Sequence, residues 1–292
     1  MIAIKSARPL LLSILIWLLS ACDEAPRAAN AGAAQRVPAG ELPLPLGTVD
    51  AEESTSPSVL YRLFESLDLS GVQVHRVELD AQPALLLLEV DLGVFEAVVV
   101  GTDGGRRSGV SAGEAIESFG LDLVVGSSFV SELHSLTPVG LLQIEGASIS
   151  RLQGHGYTRI LGVRSGGLGV VASREYHRGM FESAMQVGPG VVEQGLLDIS
   201  ERDLERPKFF RTFVATCEAS VMIGASQVPM HLYTLGRRLL EFLAEIGQSC
   251  DEVVNLAGDR EVVLAAANRS RMVYFGHPQT SKAALLGFRR RP

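Results

Sequence analysis

The sequence predicts an α+β fold in which a mixed, mainly antiparallel sheet packs with a few helices as a single domain. Three observations predict it. Segments of strand periodicity and of helical periodicity are interspersed without the regular βαβ alternation of a parallel α/β protein. No repeat with a period of about 20 to 50 residues is present. Once an N-terminal leader and tether are set aside, residues 58–292 remain, enough for one domain with a substantial core.

The leader comes first. Lys5 and Arg8 precede an apolar run from Leu10 to Leu19, followed by Ser20, Ala21 and Cys22. A basic start, a short apolar stretch and a small-residue end mark a secretory signal. The run is shorter than the roughly 20 apolar residues that a spanning helix needs. The ending Leu-Ser-Ala-Cys looks like a bacterial lipobox, which implies removal of residues 1–21, lipidation of the Cys22 thiol and attachment to a membrane through acyl chains. Asp23 resembles the inner-membrane retention signal of bacterial lipoproteins. The expected location is therefore the cell envelope, facing the periplasm, with the inner membrane favoured. Residues 22–57 are rich in Ala, Pro, Glu, Ser and Thr and read as a flexible tether.

The elements of the domain follow in order. SPSVLYRLFESL places Leu60, Leu63, Phe64 and Leu67 at helical spacing behind a Ser58 cap. VQVHRVEL alternates through Val72 and Val74, then shifts to Val77 and Leu79, as in a half-buried strand with a bulge; its His75 reads as structural. ALLLLEV and VFEAVVV are further strands. In SAGEAIESFG, Ser111 and Glu114 form a capping box and Gly120 supplies the stop of a short helix. LDLVVG is a buried strand, and YTRILGVRSGGLGVVAS holds short strands separated by glycines. RGMFESAMQVGPGVVEQG predicts a helical turn running into Gly188, Pro189 and Gly190. FFRTFVATCEASVMIG predicts two strands with a turn near Glu218. HLYTLGRRLLEFLAEIG carries Leu232, Leu235, Leu239, Phe242, Leu243 and Ile246 on one face and stops at Gly247. The last stretch, VVNLAGDREVV, predicts a tight hairpin turn between two strands.

Composition excludes several functions. Removing the leader takes away Lys5 and Arg8 and no acid, leaving 24 basic against 33 acidic residues, a net charge of −9. The basic footprint of a nucleic-acid binder is missing, and Arg289 to Arg291 read as a solvated end. Apart from Cys22, the cysteines are Cys217 and Cys250. In an oxidising compartment they are a candidate disulfide worth about 3 to 4 kcal/mol by loop closure; two buried thiols are the alternative. No Cys/His cluster points to zinc, and neither a metal nor a cofactor is expected. GTDGGRRSG and RSGGLGV lack the lysine and the strand-to-helix setting of a phosphate loop, and a nucleophile elbow is absent.

Five segments between residues 124 and 259 occur in a set order: VVGSSFVSE, TPVGLLQIEG, AMQVGPGVVEQG, FFRTFVAT and HLYTLGRRLLEFLAEIGQSCDEVVNLAGD. In that order they resemble the phosphodiester glycosidase (uncovering-enzyme-like) family. Its pattern is a strand ending in Asn-Gly-Gly-Phe-Phe, a Pro-x-Gly-Leu step, a Gln-Ser-Gly-Pro loop, an Arg-Thr strand, and a helix leading to Asn-Leu-Asp-Gly-Gly-Gly-Ser. The resemblance runs from about Gly71 to Asn268. It implies a substrate loop at Gln186, Gly188 and Pro189, an Arg-Thr pair at Arg211 and Thr212, and a final site loop at Asn255 and Gly258. Arg211 would clamp a phosphate with its planar donor fork. Asn255 or Gln186 would hold sugar hydroxyls through an amide, and Gly188 and Gly258 would let backbone N–H groups approach anionic oxygens.

The departures from that pattern bear on chemistry. Gly126, Ser127 and Ser128 stand for Asn-Gly-Gly, with Phe129 alone keeping the aromatic pair. Ala257 occupies the acidic position, and Asp259, Arg260 and Glu261 replace the further glycines and the serine. Glycoside cleavage ordinarily uses two carboxyl groups. Asp259 and Glu132 are the candidate replacements, with Glu193 and Glu218 behind them. Two functions follow: an enzyme that hydrolyses sugar-1-phosphodiesters, or a catalytically inactive relative that binds glycan or an envelope partner. Either way the expected partners are a phosphorylated glycan and, through the lipid, a membrane.

Overall fold

The computed structural model describes residues 47–48, 56–102, 109–126, 128–131, 136–154 and 156–292. The leader, Cys22, Asp23, nearly all of the tether, Ser127 and Glu132 lie outside the described residues. The first strand, β1 (Gly47–Thr48), pairs in parallel with a strand near the C-terminus. Helix α1 (Pro57–Glu65) has Ser56 at its N-cap position, two residues ahead of the expected Ser58 cap. Pro57 fits the first turn because its missing N–H would be unpaired there anyway.

β2 (Val72–Leu79) and β3 (Gln82–Asp91) form an antiparallel hairpin whose register shifts between Val77 and Glu78, as the altered periodicity predicts. β3 is apolar without a break from Pro83 to Leu88 because both of its faces are covered there: Leu86, Leu88 and Val90 enter a central core, Leu85 and Leu87 a second one. β4 (Phe95–Gly101), α2 (Ala112–Phe119) and β5 (Leu123–Val125) follow. Ser111 Oγ accepts the Glu114 N–H at 3.1 Å, and Gly120 ends α2 in the left-handed region.

The glycine-rich middle supplies β6 (Leu142–Ile144), β7 (Ala147–Ser150), β8 (Arg159–Arg164) and β9 (Gly167–Ala172). Where a helical turn was expected ahead of Gly188, the chain forms strand β10 (Ser183–Val187). All five of its residues are buried and it pairs with β6 and β8, so burial on both faces outweighs the local pattern.

Next come β11 (Gly190–Glu193), β12 (Leu196–Leu197), a 3-10 turn over Glu201–Glu205, β13 (Thr212–Cys217), β14 (Ser220–Ser226) and α3 (Leu232–Glu245). On α3, Leu232, Leu235, Leu239, Phe242 and Leu243 are buried, whereas Ile246, expected on the same face, lies beyond the helix and is 37% exposed. β15 (Cys250–Asn255), a 3-10 turn over Asp259–Glu261, β16 (Val263–Ala267), β17 (Arg271–Gly276) and β18 (Ala284–Arg290) complete the chain.

Among the described residues these strands form three sheets: β1-β17-β16-β5-β18-β4, β7-β6-β10-β8-β9, and β12-β11-β15-β13-β14-β3-β2. Every pairing is antiparallel except β1 with β17. All three sheets contribute to the central core, which holds Phe95, Leu142, Leu161, Met185, Val254, Leu264 and Phe288. α3 covers the outer face of the seven-stranded sheet and α2 that of the six-stranded one. The architecture is α+β with mostly antiparallel sheets.

The expected hairpin at VVNLAGDREVV is not one. β15 belongs to the seven-stranded sheet and β16 to the six-stranded sheet, so the residues between them cross from one sheet to the other. Each strand finds better-buried partners elsewhere: β13 and β11 for β15, β5 and β17 for β16. Cys217 and Cys250 face each other across β13 and β15 and are joined as a disulfide. Among the described residues no helix is long and apolar enough to cross a membrane.

Candidate functional site

Four segments meet where the crossover leaves β15: the bend that follows β5, the Gly188–Pro189 loop, the start of β13, and the crossover itself. Gly126 turns at φ +49°, and a Cβ there would stand 2.4 Å from Leu256 Cδ1 and 2.9 Å from Thr212 Oγ1. A glycine is therefore required on both conformational and steric grounds. Thr212 is buried and donates its hydroxyl to the Ala257 carbonyl at 2.5 Å, while Leu256 N–H reaches the Thr212 carbonyl at 2.8 Å. Gly258 lies against Phe210, whose carbonyl oxygen would be 2.4 Å from an added Cβ.

Asn255 ties in the substrate-loop segment. Its Nδ2 donates to the Gly188 carbonyl at 3.2 Å, its backbone N–H to the Pro189 carbonyl at 3.1 Å, and its own carbonyl accepts the Gly188 N–H at 2.9 Å. The side chain is 3% exposed and its Oδ1 has no hydrogen-bond partner. Gln186 is different. Its Oε1 accepts from the N–H groups of Leu141 and Gln153, and its Nε2 donates to the carbonyls of Gln153 and Tyr157. That amide is fully spent on anchoring the neighbouring backbone and leaves no donor for a ligand.

Arg211 precedes Phe213 by two residues, and Phe213 pairs with Asn255, so Arg211 and Asn255 share one face of the seven-stranded sheet. The half-buried guanidinium donates from Nε to the Met230 carbonyl at 3.4 Å and lies 5.0 Å from the centre of the Phe209 ring. Burial lowers its pKa, opposed by the charges of Asp203 and Asp259. Asp259 is thus brought beside Arg211. Its Oδ1 accepts the Phe210 N–H at 3.1 Å and its own N–H reaches the Phe210 carbonyl at 3.2 Å, which pins the residue in the left-handed region at φ +52°.

Two of the other candidate acids, Glu193 and Glu218, are elsewhere. Glu193 pairs with Arg159 at 3.2 Å, and Glu218 lies past the far end of β13 from Arg211, next to Cys217. Sequence reasoning missed three groups. Asp203 is 8% exposed and accepts the Tyr233 N–H near the start of α3 at 3.0 Å. Ser128 is 1% exposed and its Oγ has no partner. Lys282 is wholly buried, with its ammonium 3.0 Å from the Arg260 carbonyl and 3.2 Å from Glu261. The only signal of Lys282 in the sequence is a lone lysine heading the apolar run AALLG.

Taken together, this is an α+β fold with a candidate polar site at a sheet-to-sheet crossover. No family profile matches the chain, and no curated protein matches it. Among solved structures it is similar to the catalytic domain of zebrafish N-acetylglucosamine-1-phosphodiester alpha-N-acetylglucosaminidase, auto-inhibited by its pro-peptide. That match has a TM-score of 0.53 at 13% identity and covers 75% of this chain and 82% of that one. It is also similar to a hypothetical protein from Synechocystis, with a TM-score of 0.52 at 10% identity, covering 75% of this chain and 62% of that one. At these identities the likeness is one of fold, a distant structural relationship to a glycosidase domain.

Proposed function

We propose that the chain recognises sugar-1-phosphodiester groups of a phosphorylated glycan at this crossover site, as a lipid-anchored protein of the bacterial envelope. The observation that carries the reading is Asn255: a side-chain carbonyl oxygen, 3% exposed and unpartnered, on the same sheet face as the half-buried cation Arg211. An unsatisfied buried acceptor costs about 1 to 3 kcal/mol, a cost that a ligand hydroxyl would remove. Arg211 would meet the phosphate and Asn255 the sugar, with Thr212, Gly188 and Gly258 holding the backbone that frames them. The distant likeness to a glycosidase domain supports the same ligand class.

Hydrolysis of the same linkage is a second reading, favoured by Asp259, whose charge acts on Arg211. The test is calorimetry of the purified chain with sugar nucleotides and synthetic sugar-1-phosphodiesters, together with an assay for released sugar. Saturable binding that falls at least tenfold in both Arg211→Ala and Asn255→Ala is expected; undiminished binding in Arg211→Ala would sink the reading. Sugar release that Asp259→Asn abolishes would establish the enzyme. The anchor rests on Cys22 and its setting in Leu-Ser-Ala-Cys. Cys22→Ser should abolish incorporation of a clickable fatty acid and move the protein out of the membrane fraction; retained labelling would refute it. Asp23→Ser should reduce the inner-membrane share.

A further inference from the structure

Behind the Gly188–Pro189 loop lies a cavity of about 470 Å3 whose lining includes Tyr157, Thr158, Arg159, Pro189, Glu193 and Asp198. It shares a wall with the site already described, because Asn255 holds the Gly188 and Pro189 carbonyls. Arg159 forms its floor, with 8% of the side chain exposed. Nη2 meets Asp198 at 2.8 Å and Glu193 at 3.2 Å, Nε meets Glu252 at 3.4 Å, and Nη1 meets the Thr158 carbonyl at 3.4 Å. Gly190 makes room for this arrangement, since a Cβ there would stand 2.8 Å from the guanidinium carbon.

Three carboxylates share the Arg159 guanidinium, and the other cation of the lining, Arg174, is paired with Glu175 at 3.5 Å, so both guanidinium groups already have carboxylate partners, which disfavours an incoming phosphate or carboxylate. What the walls offer is acceptor capacity in fixed positions. Glu193 and Asp198 are 40% and 36% exposed along their side chains, and each uses one oxygen on Arg159. A carboxylate held in this way has lone pairs left for hydroxyl donors. The Tyr157 ring, set 4.6 Å from that of Phe129, contributes an apolar surface with a polar tip. Gly154, Gly156 and Gly190 leave backbone bare along the lining. Clefts of about 300 to 1,000 Å3 hold small molecules.

We propose that this cavity is a neutral-sugar subsite, in which Asp198 and Glu193 accept hydroxyls of an uncharged pyranose joined to the phosphate-bearing unit at Arg211. The proposal deepens the glycan-phosphate reading and rests on it for the continuity of the ligand, but the two can fail separately. Saturation-transfer NMR on the full chain with methyl α-glucoside, N-acetylglucosamine and maltose should show saturable binding of at least one sugar. That binding should weaken at least tenfold in both Asp198→Asn and Glu193→Gln and remain in Arg211→Ala, whereas loss of sugar-phosphate binding in Arg211→Ala alone tests the other site. Absence of binding by all three sugars overturns the subsite. So does sugar binding that neither Asp198→Asn, Glu193→Gln nor Tyr157→Leu alters, or displacement of the bound sugar by putrescine, which would make this a cation site.

Discussion

Lys282 keeps its ammonium away from solvent, and its partners are two residues of the crossover, Arg260 and Glu261. Burial lowers its pKa, and the Glu261 charge opposes that shift. Breaking a buried pair from one side is costly, so Lys282→Met should destabilise the protein by about 3 to 5 kcal/mol. Pairing it with Glu261→Gln should recover most of that loss in urea titrations, and an equal loss in the double variant would show that packing rather than charge is at stake. Glu252 gives a second expectation. Its pKa is raised by burial, against the opposing charge of Arg159. A raised carboxylate means that the folded state binds more protons, so its contribution is full below the unfolded pKa and is lost as pH rises through the folded value. Relative to wild type, Glu252→Gln should gain melting temperature as pH rises from about 4.5 toward 7; a difference that shrinks with pH would contradict the assignment. Neither residue was legible in the sequence, because each acts through partners far away in the chain. Asp259 was legible as a candidate only through the resemblance, and its place beside Arg211 depends on how the crossover folds over Phe210.

Elements with local signals were read well. Ser111, Glu114 and Gly120 bound α2 because capping is settled within four residues, and Ser111→Ala should cost about 1 kcal/mol in thermal or chemical denaturation. An unchanged stability would mean that α2 is held by its packing alone. β10 was missed for the opposite reason: Ser183–Val187 is buried on both faces, polar Ser183 and Gln186 included, so strict alternation is absent and the short run fits either a helical turn or a strand. The crossover was misread as a hairpin because Gly258 and Asp259 carry turn chemistry whichever sheet the next strand joins. Choice of sheet is decided by partners such as Thr212 and Val125, not by the turn.

At the scale of the molecule, a central core shared by three sheets is bordered by α3 on one outer face and α2 on another. The Cys217–Cys250 disulfide joins residues 33 apart in sequence and closes a loop that includes β14 and α3. Closing a loop of that length corresponds to about 3 to 4 kcal/mol, so Cys217→Ser with Cys250→Ser should lower stability by that amount in guanidinium titrations under oxidising conditions. An unchanged midpoint would remove the disulfide from any role in stability. The α+β class was legible from the mixture of periodicities, while the division into three sheets was not, since sheet membership is a property of long-range pairing.

The crossover has one further consequence, which is mechanical. Leu256–Val262 is a tie bar between two sheets, gripped by Phe210 and Thr212 at one end and by Lys282 at the other. A ligand seated on Asn255 would load that bar and so stiffen both sheets together. Hydrogen exchange should then slow in β16 as well as in β15 when a sugar phosphate binds, although β16 carries no residue of the site.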